Sequence, residues 1–303
     1  VTTLDMLVKE TESRALSGFR QEETLLAADM TAAQPSLTMM AGIAMQSVEA
    51  GVFVQVDYEL MAVLARTDAV TLTVRRGILN STPAAHTAGT PLIANPRFPA
   101  VDIVKAINED LDDLSGPANG LYQMKVVTFV YNPAITGYDL PGLTSEDVIE
   151  VRECRTWDYG SQQAWPLIPP TDWKLERQAA YSVFPSGVSI KIYGHAYPGR
   201  PIRVQYKAPY TTPLTWPNDD VVDVTGLHSQ AHDIPVLGAA VRLMMFREFK
   251  RTFTEAQGEP RRAAEVPVGA SLTGLRGVQQ LRADRIANER ERLNKMHKTQ
   301  RRP

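Results

Sequence analysis

TLTVRRGILNSTPAAHTAGTPLI, Thr71 to Ile93, starts as a strand-like run and becomes a loop holding Gly77, Ser81, Thr82, His86 and Gly89. Ser81, Thr82 and His86 could be assembled on paper into a nucleophile and a base. A serine hydrolase, however, sets its serine in a G-x-S-x-G elbow with a third orienting group, and neither is present. The loop also lacks the G-x-x-x-x-G-K-[ST] phosphate cradle. Gly77 and Gly89 serve backbone turns, and the small residues allow close packing. The stretch reads as scaffold.

Working outward, VFVQV and LMAVLA precede VTLTVR, separated by the turn-like DYE and RTDA, which predicts a small meander of three strands. Upstream of Pro35, residues 3–29 read as helical on the spacing of Leu4, Leu7, Val8, Leu16, Phe19, Leu25 and Leu26, with Gly18 a point where the segment can split. Downstream, Pro99 opens a helix and Asp102 favours its N-terminal end. Val101, Val104, Ile107, Leu111 and Leu114 form its stripe. Its opposite face carries Glu109, Asp110, Asp112 and Asp113, read as a solvated acidic face or a contact for a basic partner.

SGPANG ends that helix. From Leu121 to Ala208, LYQMKVVTFVY, DVIEVRECRTWDY, WKLERQAAYSV, VSIKIYG and IRVQYKA alternate with turn chemistry at PSG and YPGRP, the texture of a β-sandwich or open barrel. Trp157, Trp165, Trp173 and Trp216 lie in or beside it and read as core or rim packing rather than a sugar platform. A second helix starts at Asp233, with Pro235 in its first turn and Leu237, Val241, Met244, Met245 and Phe249 as its apolar face. GEPRRAAEVPVGASLTG is a linker, and the last segment, LRGVQQLRADRIANERERLNKMHKTQRRP, has good helix formers with Arg285/Glu289 and Glu291/Lys295 at i,i+4.

The expected fold class is α+β: a helical bundle with an antiparallel β-sandwich-like domain, a small β meander and an extended C-terminal helical arm. Residues 1–98 hold the N-terminal helices and meander, 99–120 and 230–258 the bundle, 121–229 the sandwich-like domain, and 259–303 the linker and basic arm.

With 303 residues, a net charge of -2 and a pI of about 6.3, the chain is large enough for two cores and is not built as a whole to coat nucleic acid or an anionic membrane. Cys154 is the only cysteine, so no internal disulfide framework or multi-cysteine metal site is expected, and it reads as a packing residue. The N-terminal VTTLDMLVKETESRAL has no apolar h-region, and the longest uncharged run, Met30 to Val48, is too polar to span a membrane. The expectation is a soluble protein. His228 and His232 have i,i+4 spacing, with Asp219, Asp220 or Asp223 as a conceivable third ligand, but the H-E-x-x-H glutamate is missing. No cofactor or metal is expected.

Charge departs from the average only at the end. From Gly274 onward there are nine basic residues, Arg276, Arg282, Arg285, Arg290, Arg292, Lys295, Lys298, Arg301 and Arg302, against three acids, Asp284, Glu289 and Glu291. The segment reads either as a frayed solvated tail or as a helical arm that docks on an acidic partner.

VRRGILNSTPAAHTAGTPLI, then FPAVDIVKAINEDLDDL, GYDLP, FPSGVSIKIYGHAYPGRPIRVQYKA and LGAAVRLMMFREFKRTF before an Arg-rich tail together resemble a head-to-tail adaptor (connector or neck) protein of tailed bacteriophages. The R-G-x-x-x-S-T-x-A-A-H-x-x-G run is the distinctive part, and the similarity runs from about Val52 onward. The resemblance implies a non-enzymatic virion component at the neck, assembled in the host cytoplasm. It implies a ring, commonly of twelve subunits, beneath the portal that joins the capsid to the neck or tail. Its partners would be the portal protein, neighbouring copies of itself, the next neck or tail component and DNA in the lumen, with no membrane. The nine basic residues of the arm would be the portal contacts, and Glu109, Asp110, Asp112 and Asp113 the subunit interface. The β segment from Val52 to Ile93 is additional to the simplest adaptors. Two other classes are a tail or baseplate module that binds glycans through the tryptophan region, and a metal-dependent hydrolase centred on His228 and His232.

Overall fold

A computed structural model describes residues 2–15, 21–43, 45–135, 137–140, 147–157, 160, 165–194, 196–215, 217–255 and 270–297. Its five α-helices and three antiparallel sheets make an α+β protein. The chain forms two compact units, each from two segments: residues 1–111 with 212–286, and 112–211 with 287–303. The division expected from the sequence falls at 98/99, 120/121, 229/230 and 258/259.

In the first unit, helix α1 (Leu4–Ala15) buries Leu4, Leu7 and Val8, while Lys9 and Arg14 pair with Asp5 and Glu10 one turn back on its outer face. Of the helix expected over 3–29, Leu4–Ala15 is helical and Glu22–Leu25 is not. Glu22–Leu25 is strand β1, in which Thr24 and then Leu26 turn inward with a period of two and the backbone pairs with Pro91–Ala94, β6. Non-local pairing has overridden the three- and four-residue leucine spacing here. Leu16, Gly18 and Phe19 lie outside the described residues.

The expected three-strand meander is part of something larger. Strands β1, β2 (Ser36–Thr38), β3 (Phe53–Val56), β4 (Glu59–Arg66), β5 (Thr71–Arg75) and β6 form one sheet in the order β1-β6-β3-β4-β5-β2. Its two end strands then meet. Ala27 N–H donates to Thr38 O at 2.8 Å and Met40 N–H to Leu25 O at 2.9 Å, with Leu26 and Met39 bridged, so the sheet closes on itself as a small barrel. Val54, Val56, Met61, Val63, Leu72, Val74 and Leu92 fill it with Leu26, Met30, Leu37 and Met39.

Helix α2 (Ala100–Leu114) starts where expected, and Gln55 Oε1, buried on strand β3, accepts from Ala100 N–H at 2.9 Å. Its buried face is Ile103, Ile107, Asp110, Leu111 and Leu114, with Val101 and Val104 only half-buried. The acidic face is therefore not wholly solvated, because Asp110 turns inward. After α3 (Val221–Thr225), helix α4 (Asp233–Glu255) is buried all round at its start, from Ile234 to Val241. Met245, expected on its apolar face, is exposed, and the side chain of Phe249 lies outside the described residues. Helix α5 (Ala270–Met296) begins inside the expected linker.

The second unit holds a four-stranded sheet, β10-β9-β13-β7, and a three-stranded one, β11-β12-β8. The strands are β7 (Gln123–Val130), β8 (Tyr138–Asp139), β9 (Glu150–Thr156), β10 (Leu167–Ile168), β11 (Trp173–Glu176), β12 (Ser189–Ile192) and β13 (Pro201–Ala208). Both contribute to one apolar core, in which Cys154, Ile202 and Val204 from the larger sheet join Tyr138, Ile190 and Ile192 from the smaller. Among the described residues no helix is long and apolar enough to cross a membrane.

Candidate functional site

The loop after β5 is organised around a carboxylate that the sequence reading placed in a turn. Glu59 opens β4 and shares the inward parity of Met61 and Val63, so its side chain enters one end of the barrel and is fully buried. Arg76 grips it bidentately, Nε on Oε1 and Nη2 on Oε2, both at 2.6 Å. Gly77 N–H donates to Oε1 and Ala84 N–H to Oε2, both at 3.1 Å, and His86 Nε2 lies 2.9 Å from Oε2. The remaining Arg76 donors reach Thr31 O at 2.7 Å, Gln34 O at 3.0 Å and Ala84 O at 2.5 Å. Every N–H of the guanidinium thus has an acceptor.

His86 has carboxylate oxygens at both ring nitrogens, Glu59 on one side and Asp57 Oδ2 at 2.8 Å on the other. Both nitrogens must donate, so the ring is an imidazolium, and two cations balance two carboxylates. Burial disfavours that charge, but the hydrogen bonds to Asp57 and Glu59 outweigh it and raise the pKa from 6.5 to about 9. Burial would likewise raise Glu59, and the bonds from Arg76, His86 and Ala84 reverse this and bring it down to about 2. The loop backbone is held as well: Met30 and His86 exchange N–H···O bonds at 2.8 Å in both directions.

Ser81 has no access to a base. Its Oγ accepts from Leu60 N–H at 3.0 Å and lies 2.8 Å from Ile78 O, while both nitrogens of His86 are already taken. Thr82 is exposed. Gly77 is required here: at φ +61 it sits where a Cβ would come within 2.8 Å of the Pro83 ring. The arrangement is a charge-balanced plug at the barrel end, in which Ser81 and His86 are both engaged by hydrogen bonds.

The basic segment after Gly274 is helix α5, and most of its cations have acceptors in their own unit. In the first unit Arg282 binds Asp110 at 2.7 Å, Arg242 of α4 lies 3.8 Å from the same carboxylate, and Arg285 binds Asp233 at 2.6 and 2.8 Å. The Asp110 carboxylate reaches this place through a gap in α4, since a Cβ on Gly238 would fall 1.9 Å from its Oδ1. In the second unit Arg290 donates to Ala118 O and Asn119 O, Arg292 pairs with Glu289 at 2.5 Å, and Lys295 with Glu291 at 2.6 Å. Of the two expected i,i+4 pairs, Glu291–Lys295 is formed, whereas Arg285 and Glu289 have other partners. Arg276 is exposed without an ion pair among the described residues, and Lys298, Arg301 and Arg302 lie outside them.

The acidic and basic patches chosen for their opposite signs therefore meet within one chain, Asp110 with Arg282. Asp110 is withdrawn from any outer surface, while Glu109, Asp112 and Asp113 stay exposed, Glu109 within 3.4 Å of Arg242.

The other singled-out residues are occupied locally. His228 Nδ1 accepts from Gln230 N–H at 3.2 Å, and His232, buried, sets Nε2 3.3 Å from Leu227 O. Asp220 caps α3 through Val222 N–H, and Asp219 accepts from Thr215 N–H. Among the described residues no group of three or more His, Cys, Asp or Glu could hold a metal ion. Burial pushes the Cys154 thiol up to about 12. Trp157 and Trp165 pack edge to face, Trp173 lies against the core, and Trp216 is outside the described residues.

The sequence hides this plug because Glu59 closes the turn-like DYE. Its parity with Met61 and Val63 is the signal that would have placed it inside. No protein-family model matches the chain, and comparison with curated proteins finds no match.

Proposed function

We propose that this chain is a virion structural protein, a head-to-tail adaptor that forms a ring beneath a phage portal and joins the capsid to the neck or tail. The observation that carries this reading is the use made of the most chemically suggestive stretch, Arg76 to Gly89. Its polar groups converge on one buried carboxylate and stabilise a barrel, as a load-transmitting scaffold requires and as an active site does not. That same stretch carries the resemblance to the adaptor family. In this reading the helices of the first unit stand for the bundle, and the two sheets of the second unit, sharing one core, for the sandwich-like domain.

A ring of such subunits gains from repetition. Once one subunit is seated on a portal, its neighbour binds at raised effective concentration, so modest contacts accumulate. Arg276 and the acids Glu109, Asp112 and Asp113 are exposed, and in this reading they face outside contacts. Arg282, Arg285, Arg290 and Arg292 support the fold first.

The test is negative-stain imaging with light scattering of this protein mixed with the portal protein encoded alongside it. An added ring on the portal supports the adaptor, and Arg276→Glu then weakens attachment at physiological salt without lowering thermal stability. No association at low or physiological salt overturns the reading. In that case the exposed Tyr181, Tyr193 and Tyr197 of the second unit favour a tail or baseplate module, tested by a glycan screen.

A further inference from the structure

The barrel of the first unit has its end strands bridged, so among the described residues the open sheet edges are in the second unit. Of its four edge strands, β8 and β10 are two residues long, and β11 is four residues carrying Lys174 and Glu176. Short and charged edges are the usual protection against unwanted pairing. Strand β7, QMKVVTFV, has none of it. It runs for eight residues in unbroken register with β13, contains no proline and bears a single charge, Lys125. None of its residues is buried, and Val126 and Val130 are 44% and 60% exposed.

The direction of its free backbone groups follows from one bond. Tyr131 N–H donates to Arg200 O at 2.9 Å, so the odd-numbered residues face β13. The N–H and C=O groups of Met124, Val126, Thr128 and Val130 therefore point away from the sheet. The side chains of Val127 and Phe129 pack against the core, and those of the even residues lie on the other face.

We propose that β7 is the docking edge for a second copy of this chain, pairing antiparallel with its own counterpart about a two-fold axis at Val127. In that register Met124 lies opposite Val130 of the partner subunit and Val126 opposite Thr128 of the partner subunit. All four outward residues are then paired, giving about eight new backbone hydrogen bonds and an apolar stripe along one face. Lys125 falls opposite Phe129 of the partner subunit, so the one charge does not meet itself. A register centred on Lys125 would set two ammonium groups face to face, which disfavours it.

This pairing is isologous, whereas a ring needs two different patches, so the dimer is a state of the free chain and does not rest on the adaptor reading. A strand pair alone buries less than the roughly 1,600 Å² of a standard stable interface, so dimerisation depends on concentration.

Sedimentation velocity on the full chain across the micromolar range tests it. The expected result is a monomer–dimer equilibrium. Thr128→Pro removes an outward N–H at a position where an edge strand tolerates proline, and Val126→Lys places a charge in the apolar stripe. Each is expected to weaken dimerisation at least about tenfold while leaving the melting temperature of the monomer unchanged. If Thr128→Pro does not fold, Val126→Lys decides. A chain that stays monomeric throughout, or a dimer or larger assembly that forms equally well in the folded variants, overturns the proposal.

Discussion

Replacing Glu59 by glutamine keeps its size and removes its charge. A carboxylate presents acceptors on both oxygens, and here Oε1 serves Arg76 Nε and Gly77 N–H while Oε2 serves Arg76 Nη2, Ala84 N–H and His86 Nε2. A glutamine turns an NH2 group toward one of these sets whichever way it flips, so donors oppose donors. The substitution also leaves Arg76, whose side chain is 8% exposed, without its countercharge. Removing one member of a buried ion pair costs about 3–5 kcal/mol. Hydrogen exchange of the full chain, read by peptide, is the assay. Amides of β3 to β6 should lose roughly two to four orders of magnitude of protection, at about 1.4 kcal/mol per tenfold. Strands β9 and β13 of the second unit should change little. A loss under about 1 kcal/mol, the scale of an exposed ion pair, would refute the view that the plug holds the barrel together. So would a loss spread evenly over both units.

Stability should also respond to pH in defined windows. The pKa of His86 is raised on folding, so its contribution is complete below pH 6.5 and is lost as pH rises through about 9; the gap corresponds to roughly 3 kcal/mol. Urea midpoints of the barrel signal should fall over that range, and His86→Asn should flatten the slope. Glu59 works in the opposite sense, with its contribution present above pH 4.5 and lost as pH falls through about 2. His232, whose pKa burial lowers, adds a loss of stability as pH falls below 6.5, which His232→Phe should remove. Gly77→Ala puts a Cβ against Pro83 at positive φ and should cost about 1–3 kcal/mol by denaturant titration. Gly238→Ala drives Asp110 off α4 and away from Arg282; adding Asp110→Ala should recover part of the loss, and strict additivity of the two would contradict the packing seen here.

Helix α2 is legible from Pro99 and its apolar stripe, yet its buried face is rotated, because charge predicts an outward face whereas Asp110 is an inward carboxylate met by Arg282. Strands β3, β4 and β5 were legible from β-branched runs and turn residues. The pairing of β1 with β6 was not, because more than sixty residues separate them and a single sequence does not encode which distant strand extends a sheet. Local pattern named α5 a helix but not the acceptors of its arginines, since Asp110, Asp233, Ala118 and Asn119 all lie far away in the chain. The Arg76–His86 loop carries neither hydrolase nor nucleotide motifs, and the carboxylate at its centre is signalled only by the parity of Glu59 with Met61 and Val63.

Each unit is assembled from two stretches of chain, and the residues between 270 and 297 supply the last piece of both. Only the barrel is contiguous, from Glu22 to Ala94. During synthesis the barrel can complete first, whereas Asp110, Asp233 and the carbonyls of Ala118 and Asn119 wait for arginines that leave the ribosome well after them. A nascent chain halted before residue 280 would hold a finished barrel and two unfinished units, so a fusion or truncation there disturbs far more of the protein than the few helical turns it removes.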